Sequence, residues 1–166
     1  MTLSRSLAAA LLPLALSLPA TAVQTGPTTS ICIGGVTRGD WDLPGPTAAN
    51  PGYADGDLFL GQTTTVRYTL SADLLPSPVA CVACVSGRVD GYLDDGLGTT
   101  PDYLVRGFYN GNAASGNGTF FAWIFRPGPV LSTTAAVAGK IEGKYSDPAL
   151  ATTPVGHYTG HWRICP

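Results

Sequence analysis

The chain has 166 residues, with nine basic side chains, eleven acidic ones, 21 Gly and 14 Pro. It contains no basic run, which argues against nucleic acid or an anionic membrane surface as its partner. Glu142 is its single glutamate, and Lys140 and Lys144 are its only lysines, so good helix formers are scarce and strands with turns are expected.

At the start, Arg5 precedes an apolar run from Leu7 to Leu18 and the small-residue site Ala20-Thr21-Ala22. That is the three-part pattern of a secretory signal peptide. The run is too short to span a bilayer, and nothing later is long and apolar enough to do so. Cleavage after Ala22 is expected, leaving one domain over 23–166 in the periplasm, at the cell surface or in the extracellular space. Without Arg5 the basic side chains fall to eight, against eleven acidic ones.

Ser30 to Thr37 reads as a first strand. Gly39 to Asp57 is so dense in Pro, Gly, Asp and Asn that it reads as a long loop, and such loops are often functional. Trp41 and Tyr53 fall inside it, as a lid or as contact residues, and Arg38-Gly39-Asp40 stands at its start, where some integrin ligands display that tripeptide. Leu58 to Leu60 and Gln62 to Ser71 follow as strands, with Ala72 to Pro78 as a connection. Val79 to Leu93 reads as a long strand, Asp94 to Pro101 as a turn, and Tyr103 to Tyr109 as another strand. Asn110 to Gly118 reads as a hairpin loop with Asn-Gly signals at both ends. Asn117-Gly118-Thr119 is also an N-glycosylation sequon. Thr119 to Arg126 is apolar on both faces, with Phe121 and Trp123 expected inward.

Two strands close the chain, Val137 to Ser146 and Val155 to Cys165. They repeat one pattern: Gly139-Lys-Ile-Glu-Gly143-Lys-Tyr145, then Gly156-His-Tyr-Thr-Gly160-His-Trp162. Gly87 to Tyr92 carries it upstream. Alternation at period two puts glycines and rings on one face and charges on the other, the pattern of an antiparallel sheet wet on one side. About seven or eight strands joined by short turns fit an antiparallel up-and-down β-barrel, with a β-sandwich as the alternative. The interior glycines favour the barrel, because they permit coiling and leave room for facing rings.

Cys32, Cys81, Cys84 and Cys165 are an even set in an oxidising compartment, which reads as two disulfides. First and last strands are neighbours in a closed meander, so Cys32–Cys165 is the favoured bridge. Cys81–Cys84 would then be local and would need a bend, since strand residues three apart point to opposite faces; without the bend both would pair with Cys32 and Cys165 instead.

Little in the chain speaks for catalysis, a cofactor or a metal. His157 and His161 on a strand lie about 13 Å apart, too far to share one ion, and the acidic residues sit at turns, which Asp builds unaided. No nucleophile elbow is present. The ligand-binding candidates are aromatic: Trp41, Tyr53, Trp123, Tyr145, Tyr158 and Trp162, which stack on sugars or line apolar pockets when they are not simply core. The leading expectation is an exported, non-catalytic binding or structural module, with carbohydrate, a small apolar ligand or a protein surface as its partner. A carrier with a hollow barrel is the alternative, and a cyclase-like barrel enzyme the third reading.

Overall fold

The protein is described by a computed structural model covering residues 31–44, 51–79, 81, 83–127, 136–146 and 156–165; the segment read as a signal peptide, residues 1–22, lies outside them. Eight strands follow in order: β1 (Ile33–Asp42), β2 (Gly52–Phe59), β3 (Val66–Pro76), β4 (Cys84–Asp94), β5 (Tyr103–Asn112), β6 (Asn117–Phe125), β7 (Val137–Ser146) and β8 (Gly156–Ile164). Each pairs antiparallel with the next, and β8 returns to pair with β1, so the sheet is a closed barrel. Closure removes every exposed strand edge, and the sandwich alternative falls.

Inward positions follow the period-two pattern. An eight-stranded barrel is just wide enough for side chains to fill, and here rings do much of the filling. Trp41 stacks on Tyr145 with centroids 4.5 Å apart and meets Phe120, Tyr109 and Tyr158 at 5.3, 5.8 and 6.2 Å. Tyr68 makes edge contacts with Trp162 and Tyr103. Leu58, Leu74, Val105, Ile124 and Ile141 complete one core. The rings fit because the wall beside them lacks side chains. A Cβ on Gly39 would come within 2.8 Å of the Tyr158 ring, one on Gly143 within 2.8 Å of Phe120, and one on Gly87 within 2.5 Å of the Tyr109 hydroxyl.

Some polar groups inside this core are matched, whereas the buried Trp41 Nε1 and Tyr109 hydroxyl have no hydrogen-bond partner among the described residues. Buried Thr37 donates to the Asp57 carbonyl at 3.0 Å and lies 3.4 Å from the Tyr158 hydroxyl, and Trp162 Nε1 donates to the Phe59 carbonyl at 3.0 Å. Gly35 lets the β2–β3 turn cross against β1, where the Gly61 N–H donates to the Gly34 carbonyl at 2.9 Å and Val36 N–H to Gly61 at 3.1 Å. A Cβ on Gly35 would overlap the Phe59 carbonyl.

Several sequence expectations are corrected. The described part of the stretch read as a long loop from Gly39 to Asp57 is mostly strand: β1 runs on to Asp42 and β2 begins at Gly52. The Gly and Asp that look like turn formers there are paired on both sides, Asp40 with Asp55 and with His157. β3 likewise continues through Ala72 to Pro76. Asn117-Gly118 is not a turn but the start of β6; the β5–β6 reversal is made by residues 113–116, with Gly116 at φ 65°. Phe121 and Trp123 point outward, because Phe120, Ala122 and Ile124 take the interior. Ala122 lies opposite Gly107 and Phe120 opposite Gly143, a register that a strand apolar on both faces does not declare by itself.

Both disulfides are formed. Cys32–Cys165, with Cα atoms 4.1 Å apart, staples the β1–β8 seam. Cys81–Cys84 is local, and the required bend exists because β4 starts only at Cys84. Chain entropy makes their contributions unequal: a bridge with sequence separation 133 is worth about 5 kcal/mol and one with separation 3 about 2 kcal/mol. Denaturant titration of Cys32→Ser/Cys165→Ser and of Cys81→Ser/Cys84→Ser should therefore show the first pair losing clearly more stability than the second.

Candidate functional site

The six aromatic candidates separate into an inner and an outer set. Trp41, Tyr145, Tyr158 and Trp162 are buried in the barrel. Trp41, read as a loop residue, is instead the centre of the inner ring cluster. Tyr53, also read into the loop, lies on β2 and is partly exposed, facing away from buried Gly52 and Ala54. Trp123 is 41% exposed on β6.

Trp123 does not stand alone. Phe121 lies 4.6 Å from it, and Phe108 on β5 lies 5.8 Å from Phe121 and 6.3 Å from Trp123. Phe108 is 52% exposed. Three rings in mutual contact on a solvent face differ from the scattered apolar residues that any surface carries. Sequence reasoning missed Phe108 and turned Phe121 inward; the hint was the equal hydrophobicity of the two faces of β6.

Cations border these rings. Ladder register puts Arg106 opposite Trp123, Trp123 opposite Lys140, and Lys140 opposite Arg163. Lys140 pairs with Glu142 at 2.8 Å, and Arg106 lies 3.6 Å from Asp90. Beside the rings a groove of about 700 Å³ crosses β6, β7, β8 and β1, lined among others by Phe121, Glu142, Lys144, Thr159, His161 and Arg38. The charges segregate around the barrel. Strands β1–β3 carry Asp40, Asp42, Asp55, Asp57 and Asp73 against Arg38 and Arg67, whereas β5–β8 and their turns carry Arg106, Arg126, Lys140, Lys144 and Arg163 against Glu142 among the described residues. An apolar interior inside a charged wall is the inverse of a lipid-embedded barrel, whose outer band is apolar. No described helix is long and apolar enough to cross a membrane.

Other sequence signals resolve into local structure. Arg38-Gly39-Asp40 lies within β1 rather than in a loop; Arg38 sits over the Phe59 ring at 4.6 Å, and Asp40 lies 3.1 Å from His157 Nδ1. His157 and His161 are both exposed on the outer face of β8. Asp94, Asp95 and Asp102 bring carboxylate oxygens within 4.8 Å of one another. Those oxygens serve the turn: they accept from the Gly96, Leu97 and Asp95 N–H groups at 2.7, 3.0 and 2.7 Å, and Asp95 also meets Arg67 at 3.4 Å. Asn117 is exposed at the start of β6.

No protein-family model, curated protein or solved structure matches this chain. Its class is stated by its own geometry: a disulfide-closed, eight-stranded antiparallel barrel with an aromatic interior and a charge-segregated outer wall.

The interior makes the fold sensitive to alkali. Burial pushes the Tyr109 phenol up to about 12, with neighbouring Tyr145 adding to the shift. Burial also raises Tyr158, against the opposing hydrogen bond with Thr37. A phenol whose pKa is raised on folding contributes stability that is complete below its unfolded value of about 10 and is lost as pH climbs through the folded value. Unfolding free energy should therefore be level up to about pH 9 and fall between about 10 and 12. Denaturant titrations at stepped pH, read beside tyrosinate absorbance, check this, and Tyr109→Phe should flatten the decline.

Proposed function

We propose that this chain is an exported, non-catalytic barrel that acts as a binding module through its outer surface. The observation that carries this reading is the division of its rings. Trp41, Tyr145, Tyr158 and Trp162 are spent on a packed interior, while Phe108 and Trp123 are exposed on the wall in contact with partly exposed Phe121. Half-exposed rings in a cluster cost apolar hydration without repaying it in core packing, as expected of a contact surface. A carrier needs a lumen, and the stacked Trp41–Tyr145 pair with its neighbours occupies the space a cargo would take. Export is supported by the two disulfides, which persist in oxidising compartments.

The export part predicts a mature chain of residues 23–166. N-terminal sequencing and intact mass of the secreted protein should give Val23 as the first residue; recovery from Met1 would remove the localisation.

The binding part is tested by two tryptophans. Trp162→Ala should cost about 3–5 kcal/mol of stability, and the wild type should show no saturable quenching with apolar dyes or fatty acids. Phe108→Ser/Trp123→Ser should keep the melting temperature and lose retention on cell envelopes prepared from the producing cells. Stoichiometric micromolar binding of an apolar ligand, abolished in Trp162→Ala while the fold survives, would promote the carrier instead.

A further inference from the structure

The row Arg106–Trp123–Lys140–Arg163 places three cations and an indole side by side on four adjacent strands. Like charges directly opposite one another on neighbouring strands repel, and Lys140 faces Arg163 in this way. Arg163 has no ion pair among the described residues, and the carboxylate beside Lys140 is that of Glu142 on the same strand. Phe108 and Phe121, opposite each other one row along, add a ring surface to the same patch.

We propose that this patch binds an acidic polysaccharide. Trp123 offers its ring face to the C–H faces of the sugars, with Phe121 set at 80° beside it, and Arg106, Lys140 and Arg163 pair with its carboxylate or sulfate groups. The inference rests on the outer-surface reading above and names its ligand class. The row spans three strand spacings, about 14 Å, which suits charges distributed along an extended polymer rather than one compact anion. A ring set between cations suits a ligand that is anionic at its substituents and apolar on its ring faces. A lipid surface fits less well. It favours apolar tips that project beyond the surrounding charges, whereas here long Arg and Lys side chains flank and outreach the shorter Phe rings. Acidic strands β1–β3 on the remainder of the wall favour one orientation toward a polyanion.

The test uses the mature, disulfide-bonded chain. Binding of polygalacturonate and of dextran sulfate is followed by tryptophan fluorescence and calorimetry, with neutral dextran and phosphatidylcholine–phosphatidylglycerol vesicles as comparison arms. The expected result is saturable binding of at least one acidic polymer, weakened by added salt, and none of neutral dextran. Trp123→Ala and Lys140→Gln/Arg163→Gln should each lower affinity about tenfold. The double glutamine variant should melt close to wild type, because the repulsion it removes offsets the exposed Lys140–Glu142 pair that is lost with it; a loss of binding with an intact fold is thereby separated from unfolding. Failure to bind either acidic polymer, equal affinity in the variants, or preference for the anionic vesicles overturns the proposal. If retention on cell envelopes persists in those cases, the outer-surface reading stands and only the ligand class falls.

Discussion

Ring against glycine is the packing rule on which this barrel depends. Eight closed strands leave an interior only as wide as the side chains within it, and Trp41, Tyr109, Phe120, Tyr145 and Tyr158 fill one part of it as a cluster of rings in mutual contact. They are accommodated because neighbouring ladder positions carry no side chain: Gly39 and Gly56 beside Tyr158, Gly87 beside Tyr109, Gly118 beside Tyr145, Gly143 beside Phe120. Adding a methyl group at these positions drives it into a ring or into the facing backbone, and well-packed interiors tolerate such overpacking poorly. Glycine in a strand normally weakens it; here the lost side-chain packing is replaced by ring packing from across the barrel.

Closure and packing together assign different work to the two faces of the sheet. The seam between β1 and β8 joins strands distant in sequence, and Cys32–Cys165 holds it at one end. Inside, the Thr37 hydroxyl and the Trp162 indole find backbone carbonyls, while the Trp41 indole and the Tyr109 hydroxyl are buried with no hydrogen-bond partner among the described residues. Outside, the wall is free to vary, and its charges are distributed unevenly between β1–β3 and β5–β8. A field of that shape orients an approaching charged partner before contact, which gives the aromatic cluster on β5 and β6 an electrostatic context as well as an apolar one.

Local chemistry that invites functional interpretation is largely absorbed by the fold. Carboxylates of Asp94, Asp95 and Asp102 accept from backbone amides of the β4–β5 turn, the usual service of Asp in turns. The CxxC pair is closed into a disulfide at the entrance of β4. Asp40 of the Arg-Gly-Asp tripeptide lies against His157 across the β1–β8 ladder. Each of these signals is short, and short signals occur wherever turns and paired strands need the same residues.

What the sequence determined alone was the alternation. In β7 and β8 glycines and rings fall on one face and charges on the other, and β7 was bounded at Val137 and Ser146, as the structure has it. With strand count and cysteine positions, alternation favoured a closed antiparallel barrel and a Cys32–Cys165 bridge, while the sandwich and the other cysteine pairings were excluded only by the closed topology and the late start of β4. Where both faces are apolar, alternation is silent: β6 has Phe120, Ala122 and Ile124 on one side and Phe121, Trp123 and Phe125 on the other. Only tertiary register chose between them, by setting Phe120 against Gly143 and Ala122 against Gly107. The same holds for β1 and β2, whose Gly and Asp content resembles a loop until pairing on both sides reveals strands. The cationic row was hidden for a related reason. Arg106, Lys140 and Arg163 are dispersed along the chain, and only the ladder of a closed sheet brings residues so far apart in sequence onto adjacent strands.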